Sequence, residues 1–334
     1  MMRILFRTAG GKAVGKELGL GHIFRSINLA KEFQHSSSHF LLEDYGGAKN
    51  ILKKNGFNKI KSIKNGIEHV EDFEKTKMQI KKWKIDVVII DRYKISKLYI
   101  KKLSKITKVV VISDLKEINY KSDLVINGFI GFKNQIIKNK FNSKCLLGPN
   151  FQILNKQFSK KSNYNSKKWD LLISFGGFDE KKISDMLVDI LPNYLEKMKI
   201  KIILGPVAKK SLKLLKLQKK FKNISIKKST TNMKKEMQDT KYGLCTGGLT
   251  SYEFVCMKIP IGIICDENHQ KLTANNWEKL GYARNLGIIN KNTKKEIKLF
   301  LQSITEEKFL VMDKRIIIDG KGSTRAVNEI LKIK

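Results

Sequence analysis

The fold class of this 334-residue chain is indicated by the stretch Tyr242–Gln270, YGLCTGGLTSYEFVCMKIPIGIICDENHQ. A short apolar run at Gly243–Cys245 ends in Thr246-Gly247-Gly248, and a helical pattern of apolar residues follows at once. Pro260 stops that helix, and Ile261–Ile264 has the composition of a second buried strand. The pattern predicts a strand, a glycine turn, a helix and a second strand, which is the repeating unit of α/β proteins.

The glycine turn in this stretch has the features of a phosphate-binding site. The adjacent Gly247 and Gly248 let a ligand approach the backbone, and a helix N-terminus carries about half a positive charge. Thr250 and Ser251 are candidate capping hydroxyls, and Glu253 is placed to accept hydrogen bonds from a ribose diol. These features favour a phosphate at the helix start. A plain strand-to-helix turn remains the alternative for this segment taken alone.

The length and composition of the chain restrict its class. A chain of 334 residues suffices for two α/β domains. It contains no uncharged apolar run of about 18 residues, so we expect no transmembrane helix. Its N-terminal apolar run is too short for a signal peptide. The four cysteines are scattered without a C-x-x-C pair, which predicts buried thiols in a reducing compartment and a cytoplasmic protein.

The net charge of +36 comes from 67 Lys and Arg against 31 Asp and Glu. Such an excess is typical of nucleic-acid binding. Here it is mostly Lys, spread along the whole chain with abundant Ile and Asn, as in an AT-rich coding sequence or a solvated surface. We therefore expect no nucleic-acid partner. The positive field would still attract an anionic substrate or an anionic membrane, so a peripheral membrane contact stays open.

The N-terminal segment predicts the start of a doubly wound domain. A strand at Arg3–Phe6 is followed by a glycine-rich loop, Arg7–Leu20, and a helix, Gly21–Phe33. The glycines do not fit G-x-G-x-x-G, so no dinucleotide is inferred. His22 lies at the mouth of the helix, near the carboxyl end of a parallel strand, where α/β proteins bind ligands. A capping or packing role for His22 is equally open.

Polar side chains follow two apolar strands further along the chain. Val87–Ile90 is a continuous apolar run, as a sheet buried on both faces requires, and it is followed by Asp91 and Tyr93. Val109–Ile112 repeats the pattern and is followed by Asp114. The two aspartates are candidates for a site at the sheet edge. Capping of the next helix is the alternative, and for Asp114 it is the favoured one.

The order of these elements predicts the domain organisation. We expect an N-terminal Rossmann-like domain at 1–155, a second one at 165–318, and a closing helical segment at 319–334. Packing of this closing helix back on the first domain is one option. The polar segment Lys156–Lys168 lacks periodicity and is the candidate linker. The second domain begins with a strand at Asp170–Ser174, and strands and helices alternate after it.

Six short motifs occur in order: Gly19-Leu20-Gly21-His22-Ile23-Phe24-Arg25, Asp91-Arg92-Tyr93, Gly148-Pro149-Asn150-Phe151, Ser174-Phe175-Gly176-Gly177-Phe178-Asp179, Gly247-Gly248-Leu249-Thr250-Ser251-Tyr252-Glu253 and Asp319-Gly320-Lys321-Gly322-Ser323-Thr324-Arg325. Together they resemble the UDP-2,4-diacetamido-2,4,6-trideoxy-β-L-altropyranose hydrolases of pseudaminic acid biosynthesis and related spore-coat polysaccharide proteins. The resemblance covers nearly the whole chain. It implies an α/β protein of the GT-B type, with two Rossmann-like domains facing a cleft.

The resemblance also implies a reaction and the residues that carry it. A UDP-sugar would bind in the cleft, and His22 would be the general base that activates water against the anomeric carbon, with inversion. Asp91 or Tyr93 would orient His22 or the sugar. The remaining substrate-side residues would be Gly21, Arg25, Asn268 and Gln270, and UDP would be bound by Gly176, Gly177, Gly247, Gly248, Thr250 and Glu253. Arg25 would serve the phosphates or pair with a carboxylate of its own domain. No metal and no cofactor are expected.

Two departures from the family pattern leave the reaction open. Arg7-Thr8-Ala9 lacks the aspartate of the usual R-x-D, and the following loop Gly10–Leu18 is longer. One residue intrudes into the usual Asn-Gln pair in Asn268-His269-Gln270, and Gln270 with Asn275 resembles a donor-sugar pattern of glycosyltransferases. The alternative is therefore a GT-B glycosyltransferase with a UDP-sugar donor. A non-catalytic nucleotide or nucleic-acid binding protein is a third possibility.

Overall fold

The computed structural model describes residues 1–13, 16–160, 167–177, 179, 181–206, 208, 210–309 and 318–333. The chain divides into two compact units. The first consists of Met1–Lys156 together with Gly320–Lys334, and the second consists of Gln157–Asp319. The closing segment therefore belongs to the first unit.

The described strands, in chain order, are β1 (Arg3–Ala13), β2 (Lys16–Leu18), β3 (Ser37–Asp44), β4 (Ile60–Ile63), β5 (Val87–Asp91), β6 (Lys108–Ile112), β7 (Leu124–Asn127), β8 (Gln135–Lys138), β9 (Lys144–Leu147), β10 (Trp169–Ser174), β11 (Ile200–Leu204), β12 (Ile224–Lys228), β13 (Thr240–Thr246), β14 (Ile261–Cys265) and β15 (Ala283–Ile288). The helices are α1 (Gly21–Glu32), α2 (Ala48–Lys54), α3 (His69–Trp83), α4 (Lys97–Leu103), α5 (Ile183–Leu187), α6 (Leu212–Lys220), α7 (Met233–Gln238), α8 (Leu249–Cys256), α9 (Gln270–Lys279), α10 (Thr293–Thr305) and α11 (Gly322–Ile330). Among these helices, none combines the length and apolar character needed to cross a membrane.

Each unit is built on a sheet with Rossmann-like strand order. The first sheet runs β4-β3-β1-β5-β6-β7-β9-β8, with β2 antiparallel to β1 and β8 antiparallel to β9. The second runs β12-β11-β10-β13-β14-β15, and its neighbouring strands are parallel. The direction of winding reverses between β1 and β5, and again between β10 and β13. Ligands of such sheets bind outside the carboxyl ends of the strands at this reversal. The predicted α/β fold with two Rossmann-like units is confirmed.

Apolar side chains fill both faces of the central strands. Every residue of β5 is buried, and Phe6 stacks on Phe40 with 5.1 Å between ring centroids. In the second unit Phe254, Trp277 and Phe300 are fully buried. Burial of such a side chain contributes about 1.5–3 kcal/mol, so the apolar residues of the strands and of the helices packed on them stabilise each unit.

The predicted loop Arg7–Leu20 is wrong in its first part, because β1 continues through Ala13 and pairs with β2. The charge of Arg7 does not end the strand, since buried carboxylates neutralise it. Gly10 and Gly11 let β1 pass close to neighbouring segments of the first unit. A Cβ on Gly10 would lie 2.6 Å from Cγ1 of Ile23.

A second difference concerns the predicted helix at 181–195. Only α5 and a short 3₁₀ turn at Leu191–Asn193 are formed there. Pro192 has no N–H group and its ring clashes with the preceding turn, so the α-helix cannot continue through it. The apolar residues Ile190, Leu191 and Leu195 are nevertheless buried in the core of the second unit.

The closing motif fastens α11 to the segment that leaves the first unit. The hydroxyl of Ser323 donates to the carbonyl of Leu154 at 2.7 Å, and Nη1 of Arg325 donates to the carbonyl of Asn150 at 2.9 Å. A Cβ on Gly322 would lie 2.1 Å from the carbonyl oxygen of Gln152. Gly322 is therefore required for close packing within the first unit.

Candidate active site

The carboxyl end of β5 holds the first candidate group. Asp91 ends this strand and is fully buried, and His22 is the second residue of α1. Nδ1 of His22 lies 2.7 Å from Oδ1 of Asp91, although 69 positions separate the two residues in the sequence. The structure thus brings together two of the three residues that the sequence predicts as catalytic.

The Asp91 carboxylate determines the tautomer of His22. Nδ1 of His22 also lies 3.1 Å from Nη2 of Arg25, but the contact with Asp91 is the shorter one. Because an ionised carboxylate can only accept hydrogen bonds, the proton is assigned to Nδ1. Nε2 of the neutral ring then keeps its lone pair and is free to accept a proton. The His22 side chain is 17% exposed, so the ring is not sealed inside the unit. This is the arrangement of an oriented general base.

Arg25 links Asp91 to Asp114, which follows β6. Its Nε donates to Oδ2 of Asp91 at 2.9 Å, and its Nη1 donates to Oδ1 of Asp114 at 2.5 Å. Burial lowers the pKa of Arg25, but the charges of Asp114 and Asp91 outweigh it and hold that pKa well above its usual value. Of the two predicted arrangements for Arg25, the structure has the pairing with carboxylates. In the described part of the chain, no cluster of three or more His, Cys, Asp or Glu is arranged for a metal ion.

The other two predicted residues of this edge are more exposed. Tyr93 lies two residues beyond Asp91 with 49% of its surface exposed, and Nζ of Lys94 is 5.4 Å from its ring centroid. Gly21 is the first residue of α1, and outside its own helix and chain neighbours no atom of the described residues lies within 4 Å of the Cβ position. Their roles toward a substrate stay predictions.

In the second unit the start of α8 presents backbone donors. Gly248 is the N-cap residue, and no side chain caps the helix. The prediction that Thr250 and Ser251 cap it is therefore wrong. The Ser251 hydroxyl instead donates back to the carbonyl of Gly248 at 2.7 Å and accepts from Nε1 of Trp277 at 3.2 Å. The N–H of Ser251 donates to the carbonyl of Gly248 at 3.1 Å. The N–H groups of Leu249 and Thr250 precede this first internal bond, so this helix start can bind an anion.

The two glycines of this turn have different surroundings. The N–H of Gly247 donates to Oε1 of Gln270 at 3.1 Å, and a Cβ on Gly247 would lie 2.9 Å from Cβ of Gln270. A Cβ on Gly248, in contrast, would have no atom of the described chain within 4 Å. Gly247 is thus required by packing, whereas Gly248 leaves its backbone open to a ligand.

Gln270 also holds the residue that follows β14. Its Oε1 accepts a second hydrogen bond from the N–H of Asp266 at 3.3 Å. Burial raises the pKa of the Asp266 carboxyl, although a hydrogen bond from Gln270 opposes it. Asn268 is exposed in the same loop. Sequence reasoning missed Asp266, although a carboxylate directly after an apolar strand is the signal that identified Asp91.

Glu253 lies on the first turns of α8 beside the cysteines of this unit. Burial raises the pKa of its carboxyl to about 8, so the group is mostly protonated at pH 7. No hydrogen bond or ion pair of its carboxyl is found within the described residues. A carboxyl that carries no charge partner remains available to polar groups of a ligand, such as the predicted ribose hydroxyls.

The glycine turn after β10 is the last predicted part. Gly176 has a φ of +76°, which favours glycine, and among the described residues beyond its chain neighbours no atom lies within 4 Å of the Cβ position. A Cβ on Gly205 would lie 2.1 Å from the carbonyl oxygen of Gly177, so the loops after β10 and β11 touch. The Asp179 carboxylate accepts from the N–H of Ile183 at 2.8 Å. The carboxylate of Asp179 therefore satisfies the first N–H groups of α5, which begins at Ile183.

Comparison with known sequences finds relatives of low identity. The chain is 26% identical over 297 residues to the UDP-2,4-diacetamido-2,4,6-trideoxy-beta-L-altropyranose hydrolase of Campylobacter jejuni, covering 84% of this chain and 98% of that one. It is 24% identical over 335 residues to the spore coat polysaccharide biosynthesis protein SpsG of Bacillus subtilis, covering 93% and 94%. An uncharacterized protein of Methanocaldococcus jannaschii is 25% identical over 95% of this chain, which spans only 64% of that protein.

Comparison with solved structures identifies the fold. Acinetobacter baumannii MurG superposes with a TM-score of 0.66 at 14% identity, covering 100% of both chains. S. aureus MnaA, solved with UDP, gives a TM-score of 0.62 at 10% identity, covering 99% of this chain and 96% of that one. No protein-family model matches the chain. The fold is that of the GT-B proteins, and the low-identity relatives support the resemblance to the spore-coat and altropyranose hydrolase group.

Proposed function

We propose that this protein is a UDP-sugar hydrolase. It removes UDP from UDP-2,4-diacetamido-2,4,6-trideoxy-β-L-altropyranose or a similar sugar, in pseudaminic acid or surface polysaccharide biosynthesis. The observation that carries the proposal is the 2.7 Å contact between Nδ1 of His22 and Oδ1 of Asp91, because it leaves Nε2 as a base. The name and the coverage of the Campylobacter jejuni relative support the choice of substrate.

The proposed step transfers one proton and breaks one bond. Nε2 of His22 takes a proton from water while the water oxygen attacks the anomeric carbon. The bond from that carbon to the UDP oxygen breaks, and its electron pair leaves with UDP. The imidazolium that forms is stabilised by the Asp91 carboxylate. General-base help of this kind contributes about 100- to 10,000-fold in rate. The released sugar has the inverted anomeric configuration.

The second unit binds the leaving group in this proposal. The free N–H groups at the start of α8 stabilise the charge that develops on the diphosphate. Gly248 and the Gly176-Gly177 turn let the backbone approach the phosphates, because no atom of the described residues, chain neighbours aside, lies within 4 Å of the Cβ position of Gly176 or Gly248. The Glu253 carboxyl binds the ribose hydroxyls. Asn268 in its exposed loop contacts the sugar.

The test is incubation of purified protein with UDP-2,4-diacetamido-2,4,6-trideoxy-β-L-altropyranose in EDTA without any acceptor. Hydrolysis predicts that UDP and free sugar appear in equal amounts. The variant H69N is a matched control, since His69 is an exposed histidine of the same unit and should leave the rate unchanged. Binding of UDP without release would contradict the hydrolase and favour the glycosyltransferase, in which an acceptor hydroxyl replaces water.

A further inference from the structure

A second set of charged side chains lies beside the end of β5 and takes no part in the proposed reaction. It consists of Arg7 on β1, Glu43 on β3, Asp72 on α3 and Arg92, which directly follows Asp91. The first three side chains are at most 1% exposed and that of Arg92 is 14% exposed. Two positive and two negative charges make this buried cluster neutral.

Both carboxylates of the buried cluster bridge the two arginines. Nε of Arg7 donates to Asp72 at 2.8 Å, and its Nη2 donates to Glu43 at 2.9 Å. Nη2 of Arg92 lies 3.3 Å from the same oxygen of Glu43, and its Nη1 donates to Asp72. The guanidinium of Arg92 is therefore held by β3 and α3 together.

Glu43 has further partners outside the two arginines, whereas Nε of Arg92 has no hydrogen-bond partner among the described residues. Oε1 of Glu43 accepts from the Tyr45 hydroxyl at 2.7 Å and from the N–H of Gly66 at 2.8 Å. Burial raises the pKa of Glu43, but hydrogen bonds and charge from Arg7 and charge from Arg92 outweigh it and lower that pKa. Buried charges are costly unless they are paired in this way, so the cluster has little freedom to rearrange.

Neighbouring residues 91 and 92 are thus held from two sides. Asp91 contacts α1 through His22 and Arg25, whereas Arg92 contacts α3 through Asp72. Side chains of successive residues in extended chain point in opposite directions, which matches this division. The backbone between them cannot shift without breaking one of the two sets of contacts.

We propose that Arg92 is a positioning residue for the His22–Asp91 pair. Anchored in the buried cluster, Arg92 fixes the end of β5, so that the Asp91 carboxylate keeps the proton of His22 on Nδ1. The consequence for catalysis rests on the proposed function. The consequence for the His22 tautomer does not, because it concerns only the contacts within the first unit.

The experiment measures the ring ¹⁵N shifts of His22 by NMR in histidine-labelled protein. The chain has five histidines, and the variant H22N assigns the signal. The test variant is E43Q/R92M, which removes one charge of each sign and leaves Arg7 paired with Asp72. We expect the Nδ1–H tautomer of the wild type to give way to a mixture with Nε2–H. We also expect kcat to fall about tenfold at a nearly unchanged KM, which is less than the roughly 100- to 10,000-fold expected for loss of the base itself.

The control is Y99F, which perturbs the far side of the buried cluster. The Tyr99 hydroxyl lies 2.8 Å from that of Thr76, which neighbours Asp72, and no hydrogen bond between Tyr99 and Arg92 is found among the described residues. We expect Y99F to keep the wild-type tautomer and kcat. A folded E43Q/R92M protein with the wild-type tautomer would overturn the positioning role.

Two further results separate the possible failures. If E43Q/R92M does not fold, the His22 tautomer is measured in R92K instead. One ammonium group cannot reproduce the two-pronged guanidinium contact that bridges Glu43 and Asp72. An unchanged tautomer in R92K would then overturn the inference. If the wild type releases no UDP while the tautomer shifts as expected in the variant, the proposed function fails and the positioning role of Arg92 stands.

Discussion

The carboxyl edges of the two sheets differ in how their polar groups are paired. At the edge of the first unit, the Asp91 carboxylate contacts both His22 and Arg25, and Arg25 continues to Asp114. At the edge of the second unit, the donors belong to the backbone at the start of α8, and burial raises the pKa of the Glu253 carboxyl to about 8.

The two kinds of polar group suit different chemical tasks. Paired and buried charges hold one proton at one atom, which a general base requires. Uncapped backbone N–H groups bind an anionic ligand without a competing side chain. On the proposed function the two sheet edges have complementary roles, and substitutions at each edge should have different effects.

The largest effect is expected for D91N. The neutral amide can no longer stabilise the imidazolium, and its NH2 group allows the wrong tautomer of His22. We expect kcat for UDP release to fall about 100- to 10,000-fold, the range of general-base catalysis. Steady-state kinetics measure the change, and the affinity for UDP should stay within about twofold on this account. Full activity in a folded D91N protein would show that the carboxylate does not support the base.

The second prediction compares stability at the two glycines of the turn. A Cβ on Gly247 would lie 2.9 Å from Cβ of Gln270, so G247A should lower the free energy of unfolding by about 1–3 kcal/mol. G248A places its Cβ in open space at a φ of −93°, and the expected loss is under about 1 kcal/mol. Urea unfolding of both variants measures the difference. Equal losses would contradict the assignment of packing to Gly247 alone.

The third prediction concerns the pH dependence of stability at Glu253. Its folded pKa of about 8 lies above the usual 4.5, so the folded state binds the extra proton. The stability that this proton contributes is fully present below pH 4.5 and is lost as the pH rises toward 8. The variant E253Q has no carboxyl at this position, so its stability does not fall in this way as the pH rises. We expect its free energy of unfolding to exceed that of the wild type by about 1–3 kcal/mol at pH 8, with little difference at pH 4.5.

Urea unfolding of E253Q and wild type from pH 4.5 to 8 measures that difference. Subtracting one protein from the other removes the contributions of groups that titrate in both. E278Q is a control on an adjacent helix of the same unit, since Glu278 follows on α9 and has a hydrogen-bonded carboxylate. A constant difference between E253Q and wild type across the pH range would contradict the raised pKa of Glu253.

The smallest effect is expected for D114N. Asp114 pairs with Arg25 at 2.5 Å, but its side chain is 50% exposed. Partly exposed ion pairs contribute about 0.2–1 kcal/mol because water screens them. Thermal or urea unfolding should detect a loss of that size, with kcat changed far less than in D91N. If D114N lowered the free energy of unfolding as much as D91N does in the same measurement, the two aspartates would hold Arg25 equally.

Part of this site was predictable because local patterns determine it. Apolar runs located the central strands, and polar residues that directly follow such strands located Asp91. The sequence could not indicate the bond from Gly247 to Gln270, because 23 positions separate these residues and only the folded loop joins them. The continuation of β1 was missed for a similar reason. The carboxylates that neutralise Arg7 come from distant elements.

The charge state of Glu253 was also beyond sequence reasoning. Its raised pKa depends on burial, which the sequence pattern does not show. Arg25 illustrates the same limit, since a phosphate and a carboxylate partner were equally compatible with its position on α1. For both Glu253 and Arg25, the residue type and its motif identified a candidate site residue. The charge state or the partner of that residue depended on the folded structure around it.

The central claim is that the first unit supplies the base and the second unit binds UDP. The most direct test measures kcat for UDP release and the Kd for UDP in H22A and G248A, side by side with the wild type. The account predicts that H22A loses about 100-fold or more in kcat with a Kd within twofold, and that G248A weakens UDP binding about tenfold or more. Equal loss of UDP affinity in H22A would contradict the account.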